Sequence, residues 1–294
     1  MAENNTSAKN DTNNSSDANN NNKKKPLSLG ARIGITIAVV ILLIGIAWLI
    51  YYIVDYMKGQ ADYDKINKDY ANINTGKWYD MCDVNIAELK LKNQDTRGWL
   101  FFENEEISYP IVQGADDEKY LNTSFNGDTL RAGSIFLEAL NKGDFSDKNN
   151  IIYGHNMRDQ SMFGRLQQYK YEEGYYKDHL YFQVITGDKK YRFKVFSYND
   201  VSDTSDVYTI SFASDRTFVD FIKQLKQISQ VNIDVPDVSD PDATEDEKII
   251  QNYKKLATLS TCTSRDDMRF VVVGTLVGEY DNVNKQVIYD SEDI

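Results

Sequence analysis

Cysteine and histidine are scarce in this sequence of 294 residues, which contains only two of each. Two cysteines in a domain of this size do not make a disulfide framework, so the small cross-linked secreted folds are excluded. The sequence also contains no internal repeat, no glycine-rich phosphate loop and no proline- or serine-rich linker. These absences exclude solenoids and the common nucleotide-binding motifs.

Positive charge is in short supply as well. The chain has 33 Lys and Arg against 45 Asp and Glu, a formal net charge of −12. Phosphate binding depends on clustered Lys and Arg, so nucleic acid is not expected as a partner.

The first 54 residues do not have the composition of a globular domain. Residues 1–32 are rich in Asn, Ser and Thr, and we expect a disordered tail because such a segment buries too little apolar surface to offset its ordering entropy. The 22 residues from Ile33 to Val54 carry no charge. A helix of that length covers about 33 Å, enough to cross a membrane, and the run is longer than the apolar core of a cleavable signal peptide. A buried core helix is the alternative.

The charges that flank this run predict its orientation. Lys23, Lys24, Lys25 and Arg32 precede it, and positive charge marks the cytoplasmic side. We therefore expect a single-pass signal anchor over 33–54, with the tail in the cytoplasm and the remainder outside the cell membrane.

The periodicity changes twice after the anchor. Residues 55–95 are predicted to form a helical stalk, since Tyr63, Ile66, Tyr70 and Ile73 recur at helical spacing. Residues 96–294 contain short β segments about ten residues apart, which indicates an antiparallel barrel or sandwich. The predicted strands are Gly98–Glu103, Ile107–Val112, Gly133–Leu137, Asn150–Tyr153, Tyr181–Ile185, Tyr191–Tyr198, Asp206–Ile210, Leu256–Thr261, Arg269–Val277 and Gln286–Tyr289.

Two helices and an acidic segment interrupt these strands. Helices are predicted near Met162–Tyr169 and over Asp215–Gln230, the second with Ser214 as N-cap. Residues 234–247 contain seven acids. They lack the frame of an EF-hand calcium loop, so a solvated loop is favoured over a calcium site.

The candidate chemistry begins with Cys262, at the end of the run Thr258-Leu-Ser-Thr-Cys262. A nucleophilic thiol needs a neighbouring acid or base. His155 is favoured over His179 because it follows a predicted strand and Gly154, which lets the backbone turn. Arg269 supplies a permanent positive charge for an oxyanion. Taken singly, each has a bland alternative: a core cysteine, a satisfied histidine and a charged turn.

In combination these residues resemble the sortases, membrane-anchored cysteine transpeptidases of Gram-positive surfaces, and class B sortases most of all. The resemblance rests on Thr258–Cys262, on Asn150-Ile-Ile-Tyr-Gly-His155-Asn156 and on Arg269 at a strand start. It extends over about residues 85–280. Further matching segments are Gly98-Trp99, Tyr109-Pro-Ile-Val-Gln113, Lys119-Tyr-Leu-Asn122, Gly133-Ser-Ile-Phe-Leu137 and Ser161-Met-Phe-Gly164.

The resemblance implies a closed eight-stranded β-barrel with N-terminal helices and a helix inserted before the cysteine strand. It implies that Cys262 attacks a C-terminal sorting signal to form a thioester, which an amine of a peptidoglycan precursor or a Lys of another protein resolves. His155 would be the acid and base, Arg269 the oxyanion support, and Leu121, Ser260 and Thr261 groove residues. Neither a metal nor a cofactor is required.

Three competing interpretations remain open at this point. A cysteine peptidase that only hydrolyses has the same set of catalytic residues. A membrane-anchored binding module with a vestigial site would not use Cys262 at all. A pilus polymerase usually carries a lid segment ahead of the barrel, and no clear lid motif is present.

Overall fold

The computed structural model describes residues 28–263, 265 and 267–292. Most of the predicted disordered tail, residues 1–27, lies outside this range. The chain divides into two compact units, Met1–Ile50 and Tyr51–Ile294.

Helix α1 (Leu29–Tyr70) is 42 residues long and runs through the predicted anchor into the second unit. Among the described residues it is the one helix long and apolar enough to cross a membrane. In the second unit one face of α1 is buried, through Gly59, Tyr63 and Ile66. These positions are spaced by four and three residues, the spacing of one helix face. The predicted stripe is therefore helical up to Tyr70, whereas its last member, Ile73, lies in a short strand, so the predicted stalk is not helical throughout.

The remaining elements follow in chain order. The strands are β1 (Ala71–Ile73), β2 (Cys82–Val84), β3 (Thr96–Phe102), β4 (Ser108–Val112), β5 (Ile135–Leu137), β6 (Asn149–Tyr153), β7 (Tyr181–Ile185), β8 (Lys189–Ser202), β9 (Leu256–Cys262), β10 (Met268–Asp281) and β11 (Gln286–Asp290). The helices are α2 (Ile86–Lys92), α3 (Gln168–Tyr171), α4 (Asp215–Ile228) and α5 (Glu245–Asn252), with 3-10 turns at Trp78–Asp80, Gly164–Gln167, Tyr175–Lys177 and Asp206–Tyr208.

Eight of these strands close into a barrel in the order β10-β8-β7-β3-β4-β5-β6-β9, and β9 pairs back with β10. This confirms the predicted closed eight-stranded barrel. The β4–β5 and β6–β9 pairs are parallel and the others antiparallel. Closure leaves no free edge in the barrel itself, and β11 adds only to the second half of β10.

The helix inserted before the cysteine strand is α4, and its N-cap is Ser214 as predicted. The Ser214 hydroxyl accepts the backbone N–H of Thr217, and the Thr217 hydroxyl accepts that of Ser214. The apolar face of α4 packs on a second hydrophobic cluster over β8 and β10, which includes Phe218, Phe196 and Val271. Burial of this face fixes α4 beside the strand that carries Arg269.

Two further predictions of local structure were wrong. Asp206–Ile210 is not a strand, because the side-chain amide of Asn149 donates to the carbonyls of Val207 and Thr209 at 3.0 Å each, and Ser205 caps a 3-10 turn instead. The acidic segment 234–247 is not entirely loop. Glu245 begins α5, and Thr244 and Glu247 form a capping box at its start, a motif that local acids favour.

Candidate active site

Cys262 lies at the exposed end of an otherwise buried strand. Residues 256–261 of β9 are all buried, and Cys262 is the first exposed residue. The strand runs between β6 on one side and β10 on the other. Both cysteines are free, and Cys82 is buried in β2. Cys262 therefore has no disulfide partner and presents its thiol at the rim of the barrel.

His155 reaches the same rim through the parallel pairing of β6 with β9. Tyr153 of β6 pairs with Ser260 of β9. Two residues further along each of these segments, His155 is level with Cys262. Two hydrogen bonds extend this alignment: Gly154 N–H donates to Ser260 O at 3.1 Å, and Asn156 Nδ2 donates to Cys262 O at 2.9 Å. A side chain at residue 154 would approach Phe163 to 2.7 Å. Glycine thus lets the histidine segment lie close against the barrel.

The imidazole of His155 is held by one backbone contact. Its Nε2 lies 2.6 Å from Leu121 O. A carbonyl oxygen can only accept, so Nε2 carries the proton and Nδ1 is the nitrogen that can gain or lose one. The side chain is half-buried. This arrangement leaves one ring nitrogen for acid–base chemistry.

Arg269 faces Cys262 across the antiparallel β9–β10 pair, because the two residues are direct partners in the register. Its Nη1 donates to Met268 O at 3.0 Å. Cross-strand partners have Cβ atoms about 4.5–5.5 Å apart. The structure therefore brings a guanidinium to the second side of the thiol.

Ser260 and Thr261, predicted to bind substrate, are both buried. The Ser260 hydroxyl hydrogen-bonds to the hydroxyl of Tyr208 at 2.9 Å. Thr261 Oγ1 is among the buried atoms without a hydrogen-bond partner within the described part of the chain. Leu121, the third predicted groove residue, is 38% exposed. Their role in substrate binding stays a prediction.

Two residues of the site were not predicted. Tyr208 lies over the Tyr153 ring at a centroid distance of 6.2 Å. Burial raises the pKa of Tyr208, the Ser260 hydroxyl and the nearby Arg269 oppose that rise, and Asp203 and then Cys262 reinforce it. Asn156 ties the histidine segment to Cys262. The only sequence signal for Asn156 is its position beside His155. No sequence pattern marked Tyr208, and its segment was interpreted as a strand.

His179 lies elsewhere in the fold, where tyrosines hold it. Its Nδ1 is 2.8 Å from Tyr175 O, and its ring stacks on that of Tyr175 at 3.8 Å. Of the two histidines, the structure brings only His155 level with the cysteine.

A groove of about 1070 Å³ opens beside His155. One wall is α1 from Tyr52 to Asn67, and the opposite wall is the chain from His155 to Arg165. Within the described ranges, no three His, Cys, Asp or Glu side chains are grouped so as to hold a metal ion. The chemistry available at the rim is that of a thiol, an imidazole and a guanidinium.

Comparison with known proteins gives the same assignment. Residues 103–277 match the family model described as the Sortase domain. Sortase B of Listeria monocytogenes is 35% identical over 197 residues, covering 65% of this chain and 74% of that protein.

Solved structures of sortase B agree with the fold. Sortase B from B. anthracis superimposes with a TM-score of 0.61 and 26% identity, covering 76% of this chain and 98% of that one. Sortase B from Staphylococcus aureus gives a TM-score of 0.55 and 29% identity, covering 65% and 85%. The chain belongs to the sortase family of cysteine transpeptidases and is most similar to its class B members.

Proposed function

We propose that this chain is a membrane-anchored transpeptidase that cleaves the C-terminal sorting signal of secreted proteins and transfers them to an amine of a cell-wall precursor. The alternative acceptor is a Lys of another protein. The observation that carries the proposal is the strand pairing at the rim, where Cys262 stands between His155 and Arg269. These are the nucleophile, the proton carrier and the cation that acyl transfer requires.

In the first half-reaction, the thiol of Cys262 gives its proton to Nδ1 of His155, and Cys262 Sγ attacks the scissile carbonyl of the sorting signal. Arg269 stabilises the negative charge on the tetrahedral oxygen, because its guanidinium cannot lose its proton at working pH. His155 gives a proton to the departing amine as the C–N bond breaks. The product is a thioester on Cys262.

In the second half-reaction, an acceptor amine attacks the thioester. His155, now neutral at Nδ1, takes the proton of the attacking amine, and the thiolate of Cys262 leaves as the amide forms. The bond from Leu121 O to Nε2 keeps Nδ1 as the nitrogen that exchanges the proton. One residue thus serves as acid and then as base.

In this proposal the sorting signal contacts Leu121 directly, and the buried Ser260 and Thr261 support the groove from beneath. The exposed Leu121 side chain offers an apolar contact. Ser260 acts through Tyr208, whose hydroxyl it holds, and Thr261 lies directly before the nucleophile.

In the proposed topology the enzyme lies on the outer face of the cell membrane. Residues 1–32 form the cytoplasmic tail, 33–54 span the membrane, 55–95 connect, and 96–294 form the catalytic barrel outside. The exposed apolar run within α1 supports the anchor, and the flanking basic residues support the orientation. This places the thiol where secreted proteins and lipid-linked wall precursors meet.

The test is product analysis with the full-length protein in detergent micelles. The protein is incubated with a library of sorting-signal pentapeptides, with and without triglycine, beside Cys262→Ala, and the products are identified by mass spectrometry. We expect cleavage at one motif, with triglycine joined to the new end, and no product from the variant. Cleavage to the free acid whatever the amine would identify a hydrolase. Absence of any Cys262-dependent product, including on intact client proteins, would favour a binding module.

A further inference from the structure

The segment 156–162, here called the histidine loop, follows His155 directly and has a strained backbone. Gln160 and Met162 have φ angles of 67° and 51°, in the left-handed region that non-glycine residues rarely occupy. Met162 is fully buried, and Phe163 N–H donates to His155 O at 3.0 Å. Such a conformation persists only where the surroundings impose it.

Helix α1 supplies much of what holds this loop. The carboxylate of Asp159 accepts a hydrogen bond from Gln60 Nε2 at 3.0 Å, and the same carboxylate raises the pKa of the neighbouring Tyr56 hydroxyl to about 12. Its second oxygen accepts the backbone N–H and the hydroxyl of Ser161, at 3.2 and 2.8 Å. Asp159 therefore joins the loop to itself and to α1 at once.

A second link passes through two tyrosine rings. The N–H of Met162 donates to the hydroxyl of Tyr109 at 3.0 Å. The Tyr109 ring lies edge-to-face against Tyr63 of α1, with centroids 5.5 Å apart. Tyr56, Gln60 and Tyr63 are four and three residues apart, so one face of α1 makes all of these contacts.

Helix α1 also contacts residues 121–133, the segment that holds the imidazole of His155 from the other side. The hydroxyl of Tyr63 donates to Gly133 O at 2.6 Å. Leu130, in that segment, packs directly over Gly59 of α1. This segment begins at Leu121, whose carbonyl lies 2.6 Å from His155 Nε2. The histidine loop and the segment that begins at Leu121 thus both rest on α1.

We propose that Tyr56, Gln60 and Asp159 are positioning residues, which hold the histidine loop on α1 and so keep His155 level with Cys262. The proposal rests on the proposed function, since it assigns these residues to the proton transfers of that reaction. Misplacement of a catalytic group by about 1 Å can cost on the order of a hundredfold in rate. Gln60 is exposed, and Tyr56 and Asp159 are half-buried, so the Tm of each variant is measured beside its activity.

The test compares Asp159→Ala, the double variant Tyr56→Phe/Gln60→Ala and their combination in the full-length protein in detergent. Lys65→Ala, an exposed position of the same helix, is the matched control. Kinetic constants for a sorting peptide, the pH profile of Cys262 alkylation by iodoacetamide, and the Tm are measured for each.

We expect Asp159→Ala to lower kcat roughly tenfold, because the loop loses its link to α1, with the KM of the sorting peptide unchanged. The double variant should lose a similar factor, and the combination no more than Asp159→Ala alone, since both variants remove the same contact between the loop and α1. Asp159→Asn, which keeps an acceptor oxygen, should recover part of the rate. The alkylation profile should shift in the impaired variants and stay fixed in Lys65→Ala.

Unchanged kcat and an unchanged alkylation profile in Asp159→Ala would overturn the proposal. A loss of kcat that follows a lowered Tm, or losses that multiply in the combination, would also overturn it. The alkylation profile needs no substrate. It therefore tests the positioning even if the unmodified protein forms no peptide product, an outcome that would count against the proposed function alone.

Discussion

The two ends of β10 handle chemically reactive groups in opposite ways. At the Tyr280 end, where β10 pairs with Lys190 of β8, the ammonium of Lys190 is 2% exposed and donates to Tyr79 O, Cys82 O and Asp83 Oδ1 at 2.6, 2.8 and 2.6 Å. Three acceptors match its three protons. The ammonium of Lys190 therefore has no proton left to donate to a substrate.

At the Arg269 end the same strand borders the candidate site. Cys262 is exposed and His155 half-buried, with one ring nitrogen on Leu121 O. The two cysteines make the contrast plain, because burial raises the pKa of Cys82 to about 12, so that its thiol is inert at neutral pH. One end of the barrel is closed for stability, and the other keeps its reactive groups accessible.

The largest expected effect separates the two thiols. Cys262→Ala should abolish amine-dependent product because the nucleophile is lost, with the urea midpoint nearly unchanged. Cys82→Ala should keep the activity and lower the free energy of unfolding by about 1 kcal/mol, as is typical of a core substitution. Peptide products and urea unfolding are measured for both. Amine-dependent product from Cys262→Ala would show that Cys262 is not the nucleophile.

The second prediction pairs two arginines. Arg269→Ala should lose about 2.7–4 kcal/mol of transition-state stabilisation in kcat/KM, with the Tm unchanged. Arg192 donates to Glu103 through Nε and Nη2, at 2.8 and 2.7 Å, near the Tyr280 end. Arg192→Ala should instead lower the free energy of unfolding by roughly 3–5 kcal/mol, because it leaves a buried carboxylate unpaired. A loss below tenfold in kcat/KM for folded Arg269→Ala would rule out its oxyanion role.

A third, smaller effect concerns the bond from Asn156 Nδ2 to Cys262 O. Asn156→Ala removes a hydrogen bond of about 1 kcal/mol, so kcat should fall roughly fivefold as the cysteine and histidine segments separate. Asn150→Ala is an informative partner, because its amide donates to Leu256 O at the buried start of β9. It should lower stability and leave kcat of the folded protein unchanged. Equal kcat losses in both variants would argue against a tether specific to the site.

The smallest expected effect is a pH dependence of stability that comes from Asp117, near the Arg269 end of the barrel. Burial, and then the neighbouring Glu138, raise the pKa of Asp117 to about 6 from the ordinary 3.8, while Glu138 accepts the hydroxyl of Tyr153. Between these values the folded protein binds the proton more tightly than the unfolded chain, so stability falls as pH rises through this window.

Asp117→Asn should remove that loss. Its Tm relative to the unmodified protein is expected to rise between pH 4 and pH 7, as measured by thermal unfolding in matched buffers. A Tm difference that is constant across this range would mean that Asp117 titrates normally in the folded state.

Local sequence was enough to predict which strand ends meet at the candidate site. Cys262, His155 and Arg269 each follow or begin an apolar run, and pairing of such strands aligns their ends. The closed barrel followed from the resemblance, and the short strands fitted it. The Ser214 cap was predictable because capping is decided within four residues.

The rest depended on contacts between residues far apart in the chain. Asp206–Ile210 has strand-like residues, but Asn149, about 60 positions away, takes its backbone carbonyls. Gln60 and Asp159 are 99 positions apart, and no local pattern marks either. Contacts of this kind appear only once the barrel has formed and α1 lies on it.

The most direct test is intact-protein mass spectrometry of the full-length protein mixed with an intact sorting peptide that the protein cleaves. We expect an adduct on Cys262 with the mass of the acyl part of the peptide. It should disappear when triglycine is added, as peptide–triglycine appears. An adduct on another residue, or one that triglycine does not consume while product still forms, would contradict the proposed mechanism.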